Sequence, residues 1–301
     1  MNTETDALIA ELERLDPRQL AAGQPAALGA DAVPQLRVLR REAGTARLRR
    51  RALEALLAAG GLDALEARDR AAVQRLVRIR SAQEVPDLGD HWWLAVPGET
   101  YEKAFDVLGL HDRVPVTVAL GDECQRDDEK FVPGPGDRSV RVHRVFVTPE
   151  YAGWRLIYAD TPLRETLWDL HGTIERLSAA CGQAQVFYQD PHADAMMWAV
   201  AEQGAVRRGY WRYSEPPWTG EPLPWEVELM DDEDEDHDDE DYDDEDGGSG
   251  ARGVQSVNQA AASLSIDPSG IDAATPVRGH GWLALTAPGA GHGGFGTLPG
   301  L

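Results

Sequence analysis

An α+β fold is what this chain predicts, on three observations. Residues 4–83 are rich in Leu, Ala and Arg and poor in Val and Ile, with Gly or Pro between periodic stretches, which reads as short helices. From residue 86 the pattern turns to strands mixed with helices. A long apolar stripe at helical spacing then lies beside an alternating hairpin, so an antiparallel sheet with a long helix covering one face is expected rather than a doubly wound one.

Taken in order, helices are expected at 5–15, 34–42, 45–59 and 69–82. In the last, Val73, Leu76, Val77 and Ile79 fall on one side, Arg75 and Arg78 point away, and Asp69 is placed as N-cap. These helices form a short-helix array without a fixed repeat period. Strands follow at 91–96, 114–120, 140–148 and 154–159, with a helix at 99–108. Leu163, Leu167, Leu170, Ile174, Leu177 and Cys181 mark one stripe of a helix of about five turns, closed by Gly182. A strand at 184–188 precedes a hairpin, 195–201 with 205–213, turning at Gln203-Gly204. The Pro-rich stretch 214–224 ends the body, with 225–229 as a last edge strand.

The charge is concentrated. Of the formal net charge of -23, fourteen negative charges fall within 231–246, which leaves -9 on the remainder. Such a run buries no apolar surface and repels itself, so it is expected to be disordered. The resulting division is a helical module with a basic outer face at 1–85, an α+β body at 86–229, a disordered acidic linker at 230–253, and a short C-terminal segment at 254–301. That last segment is most apolar at 281–286 and too short to own a core, so it is expected either disordered or docked on the body.

Two cysteines, Cys124 and Cys181, allow neither a disulfide framework nor a multi-Cys zinc site. The first residues lack the basic region of a signal peptide, and no apolar run approaches the roughly 20 residues that span a bilayer, so a cytoplasmic location and no membrane partner are expected.

No catalytic motif emerges. Gly289 to Gly296 holds a G-x-G-x-x-G spacing, but no helix can follow it to meet a pyrophosphate, so no cofactor is expected. Asp190, His192 and Asp194 have the donor types of a metal site, yet alternating polar residues around Pro191 read as a turn, and no metal is assigned. Asp122, Glu123, Asp127, Asp128 and Glu129 read as a solvated loop, and Cys181, on an apolar stripe, as a buried thiol.

Two features suggest binding. From Leu36 to Arg80 there are twelve arginines against five acidic residues, and Arg50, Arg51, Arg75 and Arg78 are expected on outer helix faces. A solvated face with pairs such as Arg50 and Glu54 is the plainer reading. Among nine tryptophans, Trp92 and Trp93 must point to opposite faces of a strand, and Trp211 shares a hairpin face with Tyr213.

At Arg144-Val145-Phe146-Val147-Thr148-Pro149, Gly153-Trp154-Arg155-Leu156, Trp198-Ala199, Gly204-Ala205-Val206-Arg207-Arg208 and Arg278-Gly279-His280-Gly281-Trp282-Leu283-Ala284-Leu285-Thr286, the chain resembles a group of uncharacterised actinobacterial proteins. That resemblance implies no activity, substrate or catalytic residue. The expected function is therefore a non-enzymatic binding or regulatory protein with an unknown protein as partner. The alternatives are a nucleic-acid binder using the N-terminal arginines with an autoinhibitory acidic tract, and a hydrolase of unknown substrate.

Overall fold

The structure, a computed structural model, describes residues 8–10, 12, 14, 32–81, 88–89, 91–125, 129–134, 138–159, 170–226 and 256–292. The expected disorder at 230–253 and the first turns of the 163–181 helix lie outside the described residues.

Three helices come first: α1 (Val33–Glu42), α2 (Ala46–Gly60) and, after a 3-10 turn at Gly61–Ala64, α3 (Ala67–Ser81). Leu36 and Leu39 of α1, Ala52, Ala55 and Leu56 of α2, and Val73 and Val77 of α3 are buried in one cluster. Asp69 is not the N-cap of α3 but sits inside its first turn, where its carboxylate receives Nε and Nη2 of Arg40 at 2.9 and 2.7 Å. The pair ties α1 to α3 and places a negative charge at the positive end of a helix.

The sheet is antiparallel throughout its described pairings and runs β10-β9-β8-β7-β1-β6-β4-β12-β2. Its strands are β1 (Trp92–Pro97), β2 (His111–Val116), β3 (Glu129–Pro133), β4 (Ser139–Val147), β5 (Glu150–Tyr151), β6 (Trp154–Tyr158), β7 (Gln183–Asp190), β8 (Ala195–Glu202), β9 (Ala205–Trp211), β10 (Trp218–Thr219), β11 (Val277–Arg278) and β12 (Gly281–Leu285). β3 pairs with β4, and β5 with β6 and β11. Helices α4 (Glu102–Val107), α5 (Val118–Gln125), α6 (Leu170–Cys181) and α7 (Val257–Leu264) pack around it, which makes the fold α+β.

The C-terminal segment is therefore built into the sheet. β12 lies between β4 and β2, pairing Leu283 with Phe146 on one side and with Val114 on the other. Trp282, Leu283, Ala284 and Leu285 are all buried.

Both faces of the sheet are covered, not one as the sequence suggests. Leu94, Val96, Val145, Val147, Ile157, Val186 and Ala199 join the same cluster as the buried residues of α1–α3, α4 and α6. Trp93, Ala95, Phe146, Leu156, Phe187, Trp198 and Leu283 face a second cluster with Val118 of α5 and Val257, Ala260 and Ala261 of α7. The expected strand at 114–120 ends at Val116, and α5 begins at Val118. Gly121 permits this, because a Cβ there would stand 2.1 Å from the Phe146 ring, so the helix lies directly on that side chain.

The hairpin forms as expected, β8 and β9 turning at Gln203-Gly204, and Gly182 follows α6 with φ +94°. Residues 214–226 then fold back over the second face. Trp218 and Trp225 lie 6.0 and 5.7 Å from the Trp198 ring, and residues 224–226 form a helical turn where the sequence suggests an edge strand, while 227–229 lie outside the described residues.

Candidate binding site

Several arginines in the helical segment bond within the molecule rather than facing solvent. Arg37 donates to the Ala64 carbonyl at 2.7 Å, Arg49 to that of Ala43 at 2.7 Å, and Arg70 to that of Leu62 at 3.2 Å. Arg37 and Arg49 satisfy carbonyls at the ends of helical turns, and Arg70 shares the Leu62 carbonyl with the Leu65 N–H at 3.1 Å. Arg51, expected on the outer face, is only 6% exposed and donates Nη1 to the Leu12 carbonyl, because the N-terminal residues Leu8, Ile9 and Leu12 pack over that side of α2. Arg50 is exposed and pairs with Glu54 at 2.9 Å. Of the four arginines singled out from sequence, Arg75 and Arg78 remain exposed with no ion pair among the described residues.

Both stand on α3, and the helix presents more there than charge. The expected stripe of Val73, Leu76, Val77 and Ile79 is divided: Val73 and Val77 are buried, while Leu76 and Ile79 are 41% and 51% exposed. With Arg80 they make a face of two large apolar side chains among three guanidiniums. Scattered apolar residues are ordinary on a surface, but an arginine-rimmed pair one helical turn apart has the composition of an interface.

The aromatic candidates separate. Trp93 is fully buried, stacked on Phe187 with ring centroids 5.0 Å apart, so it is a core residue and not a contact for ligands. Trp92, on the opposite face, packs against the first cluster. Trp211 is 48% exposed at the edge hairpin, near Tyr213, whose hydroxyl donates to the Ala193 carbonyl at 2.7 Å.

The carboxylate candidates are spread over strand ends, a turn and a helix. Asp190 accepts the backbone N–H groups of His192 and Ala193 at 3.0 and 3.3 Å, and Asp194 pairs with Arg212. No group of three or more His, Cys, Asp or Glu residues is placed to hold a metal among the described residues. Asp122 lies in α5, not in a loop, and Glu129 in β3 faces Arg141 at 3.4 Å. Asp127 and Asp128 lie outside the described residues. Burial pushes the Cys181 thiol up, and its S–H points to the Thr100 carbonyl at 3.6 Å, so a thiolate is disfavoured.

The glycine-rich segment straps the β2 edge. Lys130 Nζ donates to the Ala290 and Gly291 carbonyls at 2.5 Å, and Gly291 N–H donates to Asp112 at 3.2 Å. His292, fully buried, places Nε2 at 2.6 Å from the Asp112 carbonyl, so Nε2 carries the proton. Burial lowers its pKa from 6.5 to about 3, helped by Arg144 and Lys130. Between those values the unfolded chain binds one proton more, so stability is full above pH 6.5 and declines as pH falls towards 3. The loss at pH 4 is on the order of 3 kcal/mol. Urea unfolding at pH 7 and pH 4 measures it, and His292→Gln should remove most of the difference.

One polar cluster has no local signature in the sequence. It gathers Tyr101 and Glu102 at the start of α4, Arg113 of β2, Arg155 of β6, and His280 and Trp282 from the β11–β12 segment. Trp282 Nε1 donates to the Tyr101 hydroxyl at 3.1 Å, and Arg113 pairs with Glu102 at 2.5 Å while lying 4.3 Å over the Phe105 ring. Arg155 lies 3.8 Å beneath the Tyr101 ring and donates Nη1 to the carbonyls of Thr148 and His280 at 2.6 and 2.9 Å. Burial raises the Tyr101 pKa, as does its bond to Glu102. Glu102 is held below the usual carboxylate range, burial being outweighed by Tyr101 and Arg113. Burial also keeps His280 neutral, with Nδ1 donating to the Gly281 carbonyl at 2.9 Å and Arg78 of α3 within electrostatic reach.

Comparison with protein-family models, curated proteins and solved structures found no match to this chain. No helix among the described residues is long and apolar enough to cross a membrane.

Proposed function

We propose that the protein is a non-enzymatic binding protein whose α3 face takes an acidic, amphipathic protein segment. The observation that carries this is the exposure of Leu76 and Ile79 among Arg75, Arg78 and Arg80. A partner presenting two or three apolar side chains with carboxylates around them fits both features. Covering the two exposed side chains contributes roughly 1–2 kcal/mol each, and the flanking charges guide encounter and register more than they add affinity. Nucleic acid, the rival partner, has less to use, since Arg51 is buried and Arg50 is paired. A phosphate backbone also has no use for Leu76 and Ile79.

Fluorescence anisotropy with a Glu/Leu-rich helical peptide and with a DNA duplex tests the assignment, on the full chain and on a variant lacking 231–246. The peptide should bind, more tightly to the deletion variant, and more weakly as ionic strength passes about 0.15 M. Leu76→Ser with Ile79→Ser should weaken it about tenfold or more. Duplex binding unaffected by that double change would favour the nucleic-acid reading, and binding of neither probe would leave α3 a solvated face.

A further inference from the structure

The N-terminal end of α2 borders a cavity of about 340 Å³, lined among the described residues by Thr45, Arg47, Leu48 and Arg51. Cavities of roughly 300 Å³ and above are large enough to take a small molecule.

Arg51 is its fixed point. The residue is 6% exposed, and its Nη1 is held by the Leu12 carbonyl. Its Nε and Nη2 make no hydrogen bond among the described residues and, unlike Arg155 Nε, are not sealed from solvent. Since the side chain lines the cavity, that is where they meet it. A guanidinium tied down at one nitrogen and otherwise free to donate is set in advance for a ligand, which then loses little in ordering it.

Further donors lie at the same end. Arg47 stands one turn before Arg51 on the same helix face, is exposed, and has no ion pair among the described residues. Thr45 Oγ1 accepts the Leu48 N–H at 3.2 Å, which leaves its own proton to donate. The N–H groups of Ala46 and Arg47, in the first turn of a 15-residue helix, have no carbonyl within the helix to meet, and the helix dipole is positive there. No Asp or Glu among the described residues lines the cavity.

The charge selects the ligand. Two guanidiniums at a positive helix end match a phosphomonoester, with a charge of about −1.5 to −2 and three acceptor oxygens, better than a singly charged carboxylate. The buried Leu48 gives the carbon part of such an ester an apolar wall.

We propose that this cavity binds the phosphate group of a small phosphorylated molecule, held by Arg47 and Arg51 at the N-terminus of α2. The site is separate from the α3 face and stands or falls without it.

Nitrogen-edited NMR on the full chain, following the Arg51 Nε–H and the Arg47 backbone N–H, tests the assignment at a fixed ionic strength of about 0.15 M. Inorganic phosphate and glycerol phosphate should each move both signals saturably at millimolar concentration or below, glycerol phosphate the more tightly, and acetate should not. Arg51→Gln should abolish the response. Where that variant does not fold, Arg47→Gln, at an exposed position, decides, with an expected loss of about tenfold or more. No saturable shift, or one that Arg47→Gln leaves unchanged, would overturn the site. An equal response to acetate would overturn the assignment to phosphate, and inorganic phosphate binding as tightly as the ester would overturn the assignment to a phosphorylated molecule.

Discussion

A chain ended at residue 253 will not unfold cooperatively, although the helices and the β7–β8–β9 meander are encoded upstream of the cut. The cut removes β12 from between β4 and β2, leaving two unpaired ladders where each neighbour lost its partner. It also removes Trp282, Leu283 and Leu285, each buried, for roughly 1.5–3 kcal/mol apiece, together with the α7 cover over the second cluster. That sum is comparable to the whole stability of an ordinary domain, about 5–15 kcal/mol. Urea titration followed by tryptophan fluorescence and by far-ultraviolet circular dichroism should show non-coincident, broad transitions. A sharp transition near the full-length midpoint would mean that β12 only decorates the sheet.

Arg208→Met should cost about 3–5 kcal/mol, the penalty for leaving one partner of a buried ion pair alone. Arg208 and Glu226 have side chains 4% and 0% exposed, with Arg208 Nε and Nη2 bonded to the carboxylate and Nη2 at 2.6 Å. Arg208 Nη1 also donates to the Gly220 carbonyl at 2.7 Å, and its guanidinium lies 4.1 Å over Trp218. Glu226 accepts the Leu223 N–H at 3.0 Å. The pair thus fastens residues 218–226 to β9. Adding Glu226→Leu should recover most of the loss, since a shape-matched apolar pair removes the stranded carboxylate. Thermal unfolding of the two variants separates the cases, and a single variant as stable as the parent would show that water reaches Glu226.

Both experiments probe what the sequence leaves unsaid. The helix ending at Cys181 and the hairpin at Gln203-Gly204 are legible because their signals are local, a period of three to four residues in one and of two in the other. β12 is visible only as an apolar run. A strand buried on both faces has no alternation, and its neighbours β2 and β4 are chosen by contacts far along the chain, Trp282 bonding to Tyr101 181 positions upstream. The same limit explains Arg51. Helical spacing says which residues share a face, but the packing of Leu12 decides which face is inside. It explains Leu76 and Ile79 as well, since α3 buries the Val73–Val77 side and leaves the other uncovered. The cluster around Arg155 draws on four chain segments, α4, β2, β6 and the run at 280–282, so no local spacing marks it.

The place of β12 bears on what a cut between the two fixed segments would do. Glu226 is locked to Arg208 on one side of the acidic run, and Val257 is buried against the sheet on the other. A single cut within 227–255 would therefore release neither piece. The two pieces would stay together as a split protein, held by the ladders of β12 and the packing of α7. Expressed separately, they should reassemble by strand complementation, with an affinity set by the same contacts whose loss unravels the truncated chain.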